Sequence, residues 1–194
     1  MSKSTVVGLF FGSFNPIHIG HMIIAQAIID SGSVDELWFV VSPQNPFKKS
    51  KSLLHEFDRY DMVQAAIQDQ PKMKVSDVEF GMPKPNYTVK TLAVLAEKHP
   101  DKQFKLIMGE DNLTHFHKWK NYESILAYHS LLIYPRPNAR APKIDLQDKI
   151  EMIKAPMLHI SATFIREAIE KGHSIKYLVA PEVEFFIKSK NLYS

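Results

Sequence analysis

The sequence predicts an α/β fold, a doubly wound parallel sheet in a single domain over residues 1–194. Three observations point there. Apolar runs of strand length alternate with helical patterns from one end of the chain to the other. No internal repeat, low-complexity tract or linker interrupts the alternation. The composition, 45% apolar and 23% charged, is that of a globular chain long enough to bury one substantial core.

The elements follow in order. Residues 6–11 (VVGLFF) read as a buried strand and 20–31 as the helix after it. A second strand over 37–42 (LWFVVS) runs into a proline-containing loop. The helix expected over 56–68 places Phe57, Met62, Val63, Ala66 and Ile67 inward. Residues 74–80 alternate as a half-buried strand, and 81–86 carry two prolines and read as a loop. A helix over 88–98, a strand over 104–108 and a strand over 131–134 come next, the last ending at Pro135-Arg136-Pro137. A short last strand is expected over 158–160, feeding a helix over 161–171, with a terminal helix over 182–190. Right-handed crossovers then cover both faces of the sheet. Ligands of such sheets bind beyond the carboxyl ends of the strands, where the strand order reverses.

Composition narrows the function. A net charge of +3, from 24 basic and 21 acidic side chains, is too weak to argue for nucleic acid as a partner. Absence of cysteine excludes disulfides, thiolate nucleophiles and cysteine metal sites, and fits a reducing cytoplasm. The apolar run near the N-terminus is too short for a signal peptide, and none spans a membrane. A cytoplasmic protein without a membrane partner is the expectation.

The chemistry concentrates in GSFNPIHIGH, residues 12–21, directly after the first strand. Gly12, Ser13 and Phe14 make the turn, Pro16 stiffens it, and His18 and His21 stand at the mouth of the following helix. Turn N–H groups, imidazole donors and a helix N-terminus converging on one spot bind phosphate. No cysteine or neighbouring acid completes a metal set, so metal ligation is not expected. A second strand-to-helix junction, ISATFIR at 160–166, offers Ser161 and Thr163, which serve equally well as helix caps. Arg166 lies one turn inside, within reach of an anion at that helix start. Two phosphate-seeking helix mouths in one small sheet suggest a polyphosphate spanning them. His115 and His117 (HFH) read as solvent-facing rather than as metal ligands.

This pairing resembles the nucleotidylyltransferase superfamily, marked by HxGH after the first strand and ISSTxIR late in the chain. Residues 18–21 match the first fully; 160–166 match the second except that Ala162 replaces a serine. Within the superfamily the chain is similar to the bacterial nicotinate-nucleotide adenylyltransferases, nearly end to end. SPQNPFKK at 42–49, PNYTVKTL at 85–92, MGEDNLTHFHKW at 108–119, PRP at 135–137 and YLVAPEVEFFI at 177–187 carry that likeness. Departures exist. Phe47 stands where the family loop usually has histidine, leaving Lys48 to carry over; Ser13, Asn15 and Glu110 also differ from common choices. HIGH runs also occur in class I aminoacyl-tRNA synthetases, and KKSKS at 48–52 is like their KMSKS loop, but it comes far too early.

The resemblance implies a Rossmann-like sheet and an enzyme that joins ATP to nicotinate mononucleotide, making deamido-NAD and pyrophosphate. It implies no covalent nucleophile: the mononucleotide phosphate attacks the α-phosphorus of ATP in line. His21 would donate to the α-phosphate in the transition state, His18 would orient the triphosphate, and Ser161, Thr163 and Arg166 would hold its outer phosphates. Gly109 and Asp111 would meet the adenosine ribose, Asp111 having helix capping as its alternative. Lys48, Tyr87, Thr88, Trp119 and Arg136 would take the mononucleotide, with Trp119 stacking on the pyridine unless it is a core residue. Mg2+ would arrive mainly on the ATP phosphates. Rivals are a sibling acting on phosphopantetheine or a cytidylyl substrate, and a non-catalytic nucleotide-binding regulator. Oligomeric state is not legible.

Overall fold

In the computed structural model, β1 (Thr5–Gly12) shows how the alternation builds the molecule. Val7 and Leu9 enter one buried cluster and Phe10 enters the other, on the opposite face of the sheet. The described residues are 4–43, 53–137, 139 and 146–193, without the side chain of Gln147. Lys48 and Phe47 lie outside them, as does most of the loop following Pro137.

The chain continues through α1 (Ile19–Asp30), β2 (Glu36–Val41), α2 (Glu56–Ala66), β3 (Met73–Ser76), α3 (Thr88–Lys98) and β4 (Lys102–Gly109). Then come α4 (Glu110–Leu113), α5 (Tyr122–Tyr128), β5 (Leu131–Tyr134), β6 (Ile150–Met152), α6 (Ala162–Glu170) and α7 (Pro181–Ser189). The six strands are all parallel in the order β3-β2-β1-β4-β5-β6. The order reverses between β1 and β4, so the crevice beyond Gly12 and Gly109 is the topological switch point. One cluster packs α1, α2, α6 and α7 through Ile28, Met62, Ile165 and Val183 against Phe39 and Leu132. The other packs α3 and α5 through Leu95 and Ile125 against Leu106 and Ile133.

Three expectations need correction. The third strand stops at Ser76 instead of Phe80, because the chain turns there and Phe80 N–H closes on Asp77 O at 2.8 Å. Residues 158–160 form no strand; they run unpaired, and the sixth strand is Ile150–Met152 on the edge beside β5, too short for periodicity to reveal. Phe57 does not face inward: it is 57% exposed, its ring resting on Phe80 and His55, while Met62, Val63, Ala66 and Ile67 are buried as expected.

Candidate active site

The turn after β1 is held by its aromatic ring. Phe14 adopts φ 45°, in the left-handed region, and its ring, 2% exposed, folds back over Gly12 against Phe10 and Phe39. A Cβ on Gly12 would lie 2.6 Å from that ring, so the position admits only glycine. With the ring in the core, the main chain is the part of Phe14 available to a ligand.

His18 is the N-cap of α1 and His21 its third residue. Their imidazoles stack face to face, centroids 3.8 Å apart, and the His18 N–H donates to His21 Nδ1 at 3.3 Å. That bond fixes the His21 tautomer: Nδ1 accepts, so Nε2 carries the proton. Burial holds the His21 ring well below its ordinary pKa, and the adjacent His18 and the Arg136 charge push the same way. His18, 7% exposed, is lowered to about 4, by burial first and by Arg136 second. Two stacked rings therefore stay neutral at neutral pH and offer proton donors without charge.

This lowering sets an acid limit on stability. Below pH 6.5 the unfolded chain protonates its histidines, while folded His18 resists until about pH 4. Stability present above pH 6.5 is thus lost as pH falls through that window, by up to about 3 kcal/mol from His18 alone. Denaturant melts at pH 7 and 4.5 should show His18→Gln losing less stability than the wild type over that range; equal losses would dismiss the effect.

Helix α6 meets the same place. A Cβ on Gly20 would lie 2.6 Å from Ile160 Cγ2, so the two junctions touch only because residue 20 lacks a side chain. Ser161 Oγ accepts from Phe164 N–H at 3.2 Å, so the capping reading of Ser161 is realised, with its hydroxyl exposed. Arg166 is engaged by protein groups: Nη1 donates to Asn15 O at 2.8 Å and Nη2 to Thr163 Oγ1 at 3.3 Å. Ile19 N–H is taken by Leu178 O at 2.9 Å, which anchors the histidine helix to the 177–187 segment.

A small open cleft lies between the junctions, lined by His18, His21 and Arg136 and by Ile24, Met157 and Ile160 among its apolar walls. Arg136 lies across the ring of Tyr134 at 5.2 Å and 3.9 Å from Asp111 Oδ1. Both side chains stand over Gly109, the last residue of β4. Asp111 is not the cap of α4; Gly109 occupies that position. Arg136 Nε is buried and, beyond the long ion pair with Asp111, has no hydrogen-bond partner among the described residues.

The remaining residues gather elsewhere on the switch-point side. Tyr87 is the N-cap of α3, and no side chain caps that helix. Lys120, next to Trp119, places its ammonium 4.5 Å over the Tyr87 ring, which brings the Trp119 segment against the start of α3. Trp119 is half-buried and tilts against Phe116 at 5.3 Å. Asn86, 5% exposed, donates to Glu79 O at 3.2 Å, and buried Glu79 accepts from Thr91 Oγ1 at 2.7 Å. Sequence reasoning missed Met157 and Ile160 as cleft walls. Ile160 was legible, since it opens the ISATFIR run, but Met157 sits in an irregular stretch with no pattern. Among the described residues no group of three or more histidine or acidic side chains is placed to hold a metal.

A profile of the cytidylyltransferase-like family matches residues 9–168. A probable nicotinate-nucleotide adenylyltransferase of Cytophaga hutchinsonii is 53% identical, covering 97% of this chain and 98% of its own. The corresponding protein of Flavobacterium psychrophilum is 50% identical over 96% and 98%. Among solved structures, the nicotinic acid mononucleotide adenylyltransferase of Plasmodium falciparum, complexed with NaAD, superposes with a TM-score of 0.80. It covers 97% of each chain at 23% identity, a likeness of fold.

Proposed function

This chain belongs to the cytidylyltransferase-like family and, within it, to the nicotinate-nucleotide adenylyltransferases, and we infer that it transfers AMP from ATP to nicotinate mononucleotide. A phosphate oxygen of the mononucleotide bonds to the α-phosphorus, the bond to the bridging oxygen breaks, and pyrophosphate leaves with deamido-NAD as product. The observation that carries the reading is the neutral, stacked His18–His21 pair at one helix mouth, with Arg166 of a second helix donating to Asn15 O in the turn that leads into it. That arrangement suits a reaction whose catalysis is positioning and charge stabilisation.

In this reading the His21 Nε2–H meets an α-phosphate oxygen as its charge grows, and His18 orients the chain of phosphates. Ser161, Thr163 and Arg166 take the β- and γ-phosphates. Gly12, Ser13 and Phe14 contribute main-chain contacts, and the ribose lies along Gly109 and Asp111. Lys48 and Arg136 serve the mononucleotide phosphate; Arg136, beside His18, stands where both reacting phosphates must meet. ATP enters as its magnesium complex, the ion held by phosphate and water oxygens. We place the reaction in the cytoplasm, as an ATP-consuming biosynthetic step.

The test is pyrophosphate release from ATP against nicotinate mononucleotide, nicotinamide mononucleotide and 4'-phosphopantetheine. Turnover with the first supports the reading. Turnover with phosphopantetheine alone assigns a sibling reaction, and ATP binding without turnover makes the chain a nucleotide-binding regulator.

Arg166→Ala should raise the KM for ATP by about ten- to a hundredfold, because a guanidinium grips phosphate oxygens in a fixed fork. Arg166→Lys should recover part of that loss. Wild-type KM and kcat in both variants would reduce Arg166 to a tether for Asn15.

A further inference from the structure

Among the described residues, the largest side chain buried completely is a cation. Arg59, on α2, is 0% exposed, and among the described residues no carboxylate forms an ion pair with it, Glu56 acting on its charge only from a distance. Its partners are main-chain carbonyls: Nε donates to Leu54 O at 2.9 Å, Nη1 to Ser13 O at 2.6 Å and Ser42 O at 2.8 Å, and Nη2 to Pro43 O at 3.1 Å. A hydrophobic side chain would fill the same volume without removing a charge from water. The guanidinium is thus spent on holding one geometry.

That geometry is the phosphate turn. The Ser13–Phe14 peptide is trans and planar, so its carbonyl and N–H point opposite ways. Drawing Ser13 O inward onto Arg59 therefore aims the Phe14 N–H away from the core. That N–H has no protein acceptor among the described residues. The same guanidinium fixes Ser42 and Pro43 at the exit of β2 and Leu54 at the entry to α2, which bracket the segment containing Lys48. A second anchor holds the same turn: Asn15 Oδ1 accepts from Tyr193 O–H at 2.9 Å and from Leu54 N–H at 3.3 Å.

We propose that Arg59 is a positioning residue for adenylyl transfer, which orients the Phe14 N–H as a phosphate donor, and that Tyr193 supports the same turn through Asn15. The inference rests on the adenylyl-transfer reading. Because a displacement of about 1 Å at a reacting group costs far more in turnover than in affinity, the signature is in kcat.

Three measurements test it. Arg59→Lys keeps the charge but cannot span the carbonyls as a fork; its kcat should fall about ten- to a hundredfold, with calorimetry still counting one ATP per folded chain. Tyr193→Phe, which removes one hydroxyl and leaves the ring, should lose about three- to tenfold in kcat with its melting temperature little changed. In the wild type, the Phe14 amide resonance should shift on addition of Mg-ATP alone, and in Arg59→Lys that shift should shrink. Wild-type kcat in folded Arg59→Lys, or a wild-type Phe14 amide unmoved by ATP, overturns the proposal. If Arg59→Lys does not fold, the Phe14 amide and Tyr193→Phe decide it. A wild type that releases no pyrophosphate overturns the adenylyl-transfer reading and this inference with it, whereas an active wild type whose variants match it overturns this inference alone.

Discussion

Replacing His21 by alanine is expected to lower turnover by roughly two to four orders of magnitude while ATP binding weakens far less. That is the cost expected for removing one preorganised transition-state donor. Several contacts explain why this donor is preorganised. The ring packs edge-on against Phe10 and Phe14 and stacks on His18, so its rotamer is held on three sides. The His18 N–H occupies Nδ1 and leaves the proton on Nε2. A protonated ring would turn a second N–H toward that donor, which adds a local reason for the low pKa beyond burial. The neutral donor consequently persists well below pH 7, and kcat should not fall with His21 titration at mildly acid pH. Near-normal turnover of a folded His21→Ala protein would reject the assignment of the transition-state donor.

How far the sequence revealed this depends on what each feature rests upon. The strands carrying the site were legible because β1, β2, β4 and β5 are buried on both faces and show as near-continuous apolar runs. The edge strand Ile150–Met152 was not, since three residues, the last two exposed, leave no period to detect. The histidine pair was legible from its spacing and its place after a strand, and so was Arg166. The stacking of the two rings was not, because it depends on the rotamers imposed by Phe10 and Phe14. Arg59 stood within FDRYDM, which reads as an ordinary charged helix face. Only the fold shows that this face turns its guanidinium toward the main-chain carbonyls of Ser13 and Ser42. Tyr193 gave no signal, since its acceptor lies 178 residues away.

Nicotinate mononucleotide is expected to be preferred over its nicotinamide analogue by about 30- to 1,000-fold in kcat/KM. The case begins at the start of α3. Tyr87 is an N-cap whose side chain does not cap, and its carbonyl accepts from Lys90 and Thr91 N–H at 2.8 and 3.2 Å. The N–H groups of Thr88 and Val89, ahead of those bonds, have no acceptor among the described residues. Lys120 adds a full positive charge beside the same residue, 4.5 Å over the Tyr87 ring. A carboxylate placed there gains from the helix end and from the ammonium, whereas an amide is neutral. The amide also turns N–H donors toward donors and leaves groups on both sides unsatisfied. Stacking on Trp119, if the pyridine lies there, would be nearly the same for either ring and would contribute affinity without discrimination. One helix-end charge interaction and one mismatched hydrogen bond together give roughly 2–4 kcal/mol, the range stated as a ratio above. Part of the advantage is exposed to solvent, so it should shrink as salt rises from 0.05 to about 0.5 M. Specificity constants for the two mononucleotides at equal ATP decide the matter: equal values, or a preference for the amide, would reject a carboxylate pocket at α3 and leave adenylyl transfer itself standing.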